Sequence, residues 1–371
     1  MPAAEVLKKA EQEMTICNAC RYCEGFCAVF PAMELRTKFG KGDLLHLANL
    51  CFDCRACFYA CQFAPPHEWG INVPKTFAQL RADTYREYAW PAVFARLFGK
   101  NGPGVALVTA IATVMLLAYV VVFQGAEMLR SVQIGQGSFY RVVPYIVMVI
   151  PPSIILLYGF VVFVMGATAF WRETRGSLSQ MVDLSALGKA SIDALGLRYM
   201  TGGGYGCNYP DDRFSGGRRV YHQLVMYGFL LDFASTTLAA IYDHFLDSPA
   251  PYPVIHPVVL LGLAGGVMLA IGCLGLLSLK WKSDRDPTVG QMFEMDVTFI
   301  WMLLLTSMTG LALLALRDTA VMGMLLVIHL GIVAGLFITF PYGKFAHVVY
   351  RYAALVRNAI ETQRHAPAGH H

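Results

Sequence analysis

Charge is scarce in this sequence. Only 15% of its 371 residues are Asp, Glu, Lys or Arg, while 56% are hydrophobic and the mean hydropathy is +0.50. A soluble chain carries about a quarter charged residues, so the composition argues against an ordinary soluble globule and puts most of the chain in lipid. The net charge of +4 is too small to suggest a nucleic-acid partner. A secretory signal is also missing: residues 1–15 (MPAAEVLKKAEQEMT) are polar and helix-forming, with no apolar core or cleavage site. An exported disulfide framework is therefore not expected, and the thiols read as metal ligands in a reducing compartment. No C-x-x-C-H occurs, which excludes covalently attached c-type haem. "TGGGYGCN" (201–208) has neither a preceding strand nor a following helix, so it reads as a loop and not a dinucleotide site. Without a flavin or nicotinamide fold the chain holds no substrate dehydrogenase site, and any electrons it handles must come from a partner.

What the sequence does contain is concentrated. Eight of its ten cysteines lie within residues 17–61, as two C-x2-C-x2-C-x3-C runs: Cys17, Cys20, Cys23 and Cys27, then Cys51, Cys54, Cys57 and Cys61. Three closely spaced thiolates can hold three corners of an iron–sulfur cube, and in two-cluster ferredoxins the fourth Cys of each run serves the other cluster. This rule assigns Cys17, Cys20, Cys23 and Cys61 to one [4Fe–4S] cluster, and Cys51, Cys54, Cys57 and Cys27 to a second. Zinc normally takes two C-x2-C pairs separated by a long spacer, a poorer match to these runs. Cys207 and Cys273 stand apart, and packing accounts for both.

After residue 104 six apolar stretches, near 104–123, 144–170, 221–245, 254–279, 297–316 and 321–345, are each long enough to cross a hydrocarbon core of roughly 20 residues' span. With the N-terminal part cytoplasmic, the inner segments hold 26 of the 29 Lys and Arg residues, leaving Arg130, Arg141 and Arg317 outside. The positive-inside rule then places both termini in the cytoplasm of a bacterial inner membrane. The expected fold is mainly α. Residues 1–75 form a ferredoxin-like domain of helical type and 76–103 an amphipathic connector helix. Residues 104–345 form a six-helix cytochrome b-type bundle with a cytoplasmic loop at 171–220, and 346–371 a cytoplasmic tail. The final APAGHH carries no functional weight.

Histidine inside a membrane helix is rare and usually functional. His329 and His347 are 18 residues apart, five full helical turns, so on one helix they share a face. His222 and His244 sit at the two ends of the third span. Opposed directions put His222 opposite His347 and His244 opposite His329, two bis-histidine pairs for an inner and an outer haem b. His256 rivals His244 as outer ligand. Arg218, Arg219, Lys344 and Arg351 flank the inner pair as candidate propionate partners. Asp232, mid-span, is a candidate for proton uptake near a quinone or a structural acid bonded to a Ser or Thr. His46 and His67 read as surface residues.

These features together resemble the tricarballylate-utilisation protein B family, also called citrate-utilisation protein B. The resemblance rests on the paired cysteine runs, the six spans, "GGGYGCNYPDDRFSGGRRVYHQ", "ALRDTAVMGMLLVIHLG" and "PYGKFAHVVYR". It implies an electron-transfer subunit with iron–sulfur clusters and b haem that reoxidises the FAD of a soluble dehydrogenase partner and passes electrons to quinone. The bundle is also similar to the cytochrome b anchors of nitrate and heterodisulfide reductases. A fused relative in cobalamin synthesis, a quinol-oxidising subunit, and a zinc-binding transporter or receptor are the alternatives.

Overall fold

The computed structural model describes residues 4–98 and 102–365. The APAGHH end, with His370 and His371, lies outside the described residues, as do 99–101 of the expected connector. The protein is mainly helical. Among the described residues the only sheet is one antiparallel pair, β1 (Cys207–Asn208) with β2 (Phe214–Ser215).

Five helices begin the head: α1 (Ala4–Cys20), α2 (Val29–Glu34), α3 (Lys41–Leu50), α4 (Ala56–Tyr59) and α5 (Val73–Glu87). The α3 helix starts where Asp43 Oδ2 accepts the Gly40 N–H at 3.2 Å, and Leu44 through Leu50 are buried all round, making it the axis of the head. The α5 helix starts at Asn72, whose side chain accepts the Lys75 N–H at 3.2 Å, with Pro74 in the first turn. Phe77, Leu80, Arg81 and Tyr85 recur at helical spacing and face the core.

The short α6 (Ala92–Leu97) leads to the membrane part. Its helices are α7 (Gly102–Tyr119, continued by a π turn to Gln124), α9 (Tyr145–Glu173), α11 (Gly217–Leu246), α12 (Pro257–Lys282), α13 (Gly290–Leu316) and α14 (Met322–Thr339). The short α8 (Ser138–Val142) lies between the first two, and α10 (Leu184–Leu195) follows α9. The six long helices each have the length and apolarity to cross a bilayer, so this is a multi-pass membrane protein. Without a hydrophobic force between helices in lipid, small residues let backbones approach. Gly331 and Gly335 of α14 lie against Thr113 and Thr109 of α7, where a Cβ would overlap the threonine hydroxyls.

Three expectations need correction. Within the expected tail 346–371, the described residues form a packed helix: α15 (Ala346–His365) buries Ala354, Leu355 and Val356 of its apolar stripe in the head core. The segment 76–103 is not one connector: α5 belongs to the head core, and the exposed apolar surface falls on Trp90, Val93, Phe94 and Leu97 around α6. His46 is not at the surface. It is fully buried, with Nε2 3.6 Å from Glu361 Oε2.

Glu361 also meets Arg36 at 2.7 Å and Arg357 at 3.0 Å, and Arg36 meets Asp43 at 2.9 Å. Burial works to raise the Glu361 pKa, but the facing His46 and Arg36 prevail and hold the carboxyl well below the carboxylate range. A carboxylate depressed on folding stabilises above its unfolded pKa of about 4.3 and loses that contribution as pH falls. Glu361→Gln should therefore cost about 3 kcal/mol near pH 7, with the deficit shrinking below about pH 4, as read by thermal unfolding across pH. Gly335→Val should cost about 1–3 kcal/mol through overpacking against Thr109, read as a lower melting temperature in detergent.

Candidate metal centres

The first cysteine run is shaped by a helix end. Cys17 and Cys20 lie one turn apart in the last turns of α1, and Arg21 then turns the chain with φ +57°. Cys17, Cys20, Cys23 and Cys61 line one cavity of about 250 Å³, walled by Ile16, Phe30, Phe63, Ile71 and Val73. Cys20 is exposed there. In the second run Asp53 and Arg55 both take positive φ, +56° and +65°, which coils the backbone around the thiols. Cys27, Cys51, Cys54 and Cys57 line a second, narrow cavity of about 10 Å³ with Phe26, Phe52 and Arg55. Cys57 borders both cavities. The Asp53 N–H donates to Cys51 Sγ at 3.3 Å.

The thiols are soft donors in a desolvated setting. Burial, then neighbouring thiols, pushes Cys23 and Cys54 up to about 12 and raises Cys17, Cys27 and Cys57 as well. A bound metal centre is what would hold such groups as thiolates. Among the described residues no three His, Cys, Asp or Glu side chains close on a single ion.

The "TGGGYGCN" loop covers both cysteine runs. Gly203 has φ +77°, and a Cβ there would come 3.1 Å from the Gly25 carbonyl oxygen, so only glycine lets the loop lie this close. The Asn208 N–H donates to the Cys54 carbonyl at 2.9 Å. Cys207 is wholly buried, 3.6 Å from the Met200 carbonyl, and Cys273 is buried among apolar residues.

Beside the inner cavity stand two imidazoles. His222 of α11 and His347 of α15 have ring centroids 6.3 Å apart and planes at 89°. His347 Nδ1 lies 2.6 Å from the Lys344 carbonyl, which can only accept, so Nδ1 carries the proton and Nε2 keeps its lone pair. His222 Nδ1 is buried without a hydrogen-bond partner. His347 does not share a helix with His329: Pro341 and Gly343 end the helical run, and α15 starts a new one.

The two histidines expected as the outer pair each have another neighbour. His244 instead sits 3.5 Å from the Tyr145 hydroxyl and is exposed. His329 Nδ1 is 2.9 Å from Thr309 Oγ1, whose own proton goes to the Leu305 carbonyl at 2.7 Å, so here too Nε2 is left free. His256 caps α12, accepting from the Val258 N–H at 3.4 Å, and stacks on Tyr252. Asp232 packs against Gly265, and the nearby Thr236 hydroxyl bonds its backbone carbonyl, not its carboxylate.

The flanking basic residues all have protein partners. Arg218 donates to the carbonyls of Phe52, at 3.2 Å, and Asp53; Arg351 donates to that of Cys51 at 2.8 Å. Arg219 donates to the Gly196 carbonyl at 2.8 Å. Lys344 pairs with Asp296 at 2.6 Å. Sequence reading missed Asp53, Arg55 and Arg81, which converge at this junction. Asp53 and Arg55 lie inside the cysteine run and could have been noticed there. Arg81 looked like a surface basic residue, yet it is 3% exposed and donates to the Ala48 carbonyl at 3.0 Å. Burial works to raise Asp53, but Arg55, Arg218, Arg81 and Lys280 together hold it below the ordinary value.

A helical, thiol-rich head on six membrane helices defines the class: a multi-pass membrane protein with a ferredoxin-like domain. Residues 10–87 match the family model for the citrate utilization protein B Fer4-like domain, and residues 100–368 that for citrate utilization protein B. The chain is 44% identical to the citrate utilization protein B of Escherichia coli over 369 residues, covering 99% of this chain and 95% of that one. It belongs to the citrate utilization protein B family. No solved structure matches it.

The cavities make a specific prediction for iron-loaded protein. Cys61→Ser should perturb the same paramagnetic signal as Cys20→Ser, and Cys27→Ser the same signal as Cys54→Ser, in electron paramagnetic resonance. Grouping by sequence run instead would contradict the geometry.

Proposed function

We propose that this protein is a membrane-anchored electron-transfer subunit. It takes electrons from a cytoplasmic FAD-dependent dehydrogenase and delivers them to the quinone pool of a bacterial inner membrane, with both termini cytoplasmic. Bound in the chain, two [4Fe–4S] clusters and b haem supply the one-electron carriers that link a two-electron flavin to quinone. Cys17, Cys20, Cys23 and Cys61 hold the outer cluster, and Cys27, Cys51, Cys54 and Cys57 the inner one. His222 and His347 hold the inner haem. His329 and His244 are the candidate ligands of an outer one.

The observation that carries this reading is the succession of donor sets from the head surface to the membrane. The exposed outer thiols share Cys57 with the inner thiols, and the imidazole pair begins one helical turn beyond the arginines bonded to the inner loop. Two imidazoles bound to one iron through bonds of about 2 Å have ring centres about 6 Å apart, close to the spacing found. The Lys344 carbonyl fixes the His347 tautomer and the Thr309 hydroxyl that of His329, as outer-shell groups do for metal-bound histidine. The flavin is assigned to the partner. The name of the Escherichia coli relative favours a partner acting on citrate or a related tricarboxylate such as tricarballylate.

Purified protein should contain about eight cluster irons with matching acid-labile sulfide, and show a low-spin b-type absorption spectrum on reduction. Colourless, iron-free protein would overturn the reading. His347→Ala should remove the inner haem absorption while leaving the sulfide content intact. Undiminished haem in that variant would overturn the ligand assignment.

A further inference from the structure

We propose that the four arginines gathered at the 51–53 loop, Arg55, Arg81, Arg218 and Arg351, set the direction of electron flow by raising the reduction potential at the inner thiols above that at the outer thiols. This rests on the iron–sulfur reading of both cavities. The step is the passage of one electron from the outer site to the inner site. The outer site is oxidised and the inner reduced, with no bond made and no proton moved.

The two cavities differ in their charge. Arg351 donates to the Cys51 carbonyl at 2.8 Å, Arg81 reaches the same oxygen at 3.5 Å, and Arg218 donates to the carbonyls of the next two residues. Arg55 lines the inner cavity itself. One carboxylate answers them: Asp53 stands 4.0 Å from Arg55, 3.8 Å from Arg81 and 3.9 Å from Arg218. Two other acids are nearby: Asp284, whose backbone carbonyl accepts from Arg55 at 3.1 Å and whose carboxylate accepts from the Tyr59 hydroxyl at 2.9 Å, and Asp296, which is matched by Lys280 and Lys344. All four guanidiniums remain charged at any accessible pH. The residues lining the outer cavity are, by contrast, all uncharged apart from the thiols themselves. Glu13 approaches from behind, with one carboxylate oxygen accepting the Asn72 N–H at 3.0 Å.

Reduction adds negative charge, so an excess of fixed positive charge favours it, strongly where water is excluded. The N–H donated from Asp53 to Cys51 Sγ acts in the same direction. An electron arriving at the exposed outer thiols is thus drawn inward, toward the imidazole pair, by charges that belong to the membrane helices and to α15 as much as to the head.

The test is a redox titration of the holoprotein followed by electron paramagnetic resonance, with the inner signal identified through Cys54→Ser. The inner midpoint should lie above the outer. Arg351→Gln and Arg218→Gln should each lower the inner midpoint by about a tenfold change in the one-electron equilibrium, about 59 mV, and leave the outer midpoint in place. Arg351→Lys, which keeps the charge, should shift it far less. Asp53→Asn should move the inner midpoint upward, a sign that loosened packing would not produce. An inner midpoint at or below the outer one, or variants that shift both signals alike, would overturn the proposal while the iron–sulfur reading stands. Wild-type protein with no cluster signal would overturn that reading and this proposal together.

Discussion

Arg218 lies one turn from His222 on α11, Arg351 lies one turn from His347 on α15, and both donate N–H groups to backbone carbonyls of residues 51–53. The thiol loop and the imidazole pair are thereby held to one another by short, directional, charge-assisted bonds. A loop held only by packing would leave the spacing between head and bilayer loose. Tyr209 stiffens the junction further, with Arg55 at 4.4 Å and Arg218 at 5.0 Å from its ring centre. Each arginine also has a reason to be buried, because the carbonyls it satisfies belong to a loop whose positive-φ residues cannot enter regular secondary structure.

The two cavities solve a desolvation problem in different ways. The outer one has apolar walls and an exposed Cys20, so it is reachable from solvent. The inner one is closed by the glycine-rich loop and ringed by guanidinium groups. Apolar residues alone could not tolerate four buried thiolates, and the surrounding donors and cations are what a charged occupant requires. Access and burial are thus distributed in the order that a route from a soluble donor to the membrane needs.

Much of this could be read from the residues. The two-cluster ferredoxin rule led to the expectation that Cys27 and Cys61 cross between the thiol sets, and the cavity linings group them in the same way, with Cys57 in both. The six spans were legible from hydropathy. His222 and His347 do meet, yet the helical periodicity used to pair them was misplaced, since Pro341 and Gly343 interrupt the helix. The roles of Asp53 and α15 depend on contacts 165 to 325 residues apart in sequence, and that of Arg81 on burial inside the head, and no local pattern carries such information. A basic residue near a membrane end reads as loop charge until its carbonyl partners are known.

The head core includes α15, which the ribosome makes only after all six membrane helices. Residues 4–98 therefore emerge long before the helix that covers Leu44, Leu45 and Tyr85 exists. Until that helix arrives, the flank of the head against which Tyr350 and Leu355 pack stands open. Its docking, with Arg351 reaching the Cys51 carbonyl, makes closure of the head a late event tied to completed membrane insertion. Assembly order thus follows from chain order, and a chain stalled in the bilayer keeps its head unsealed.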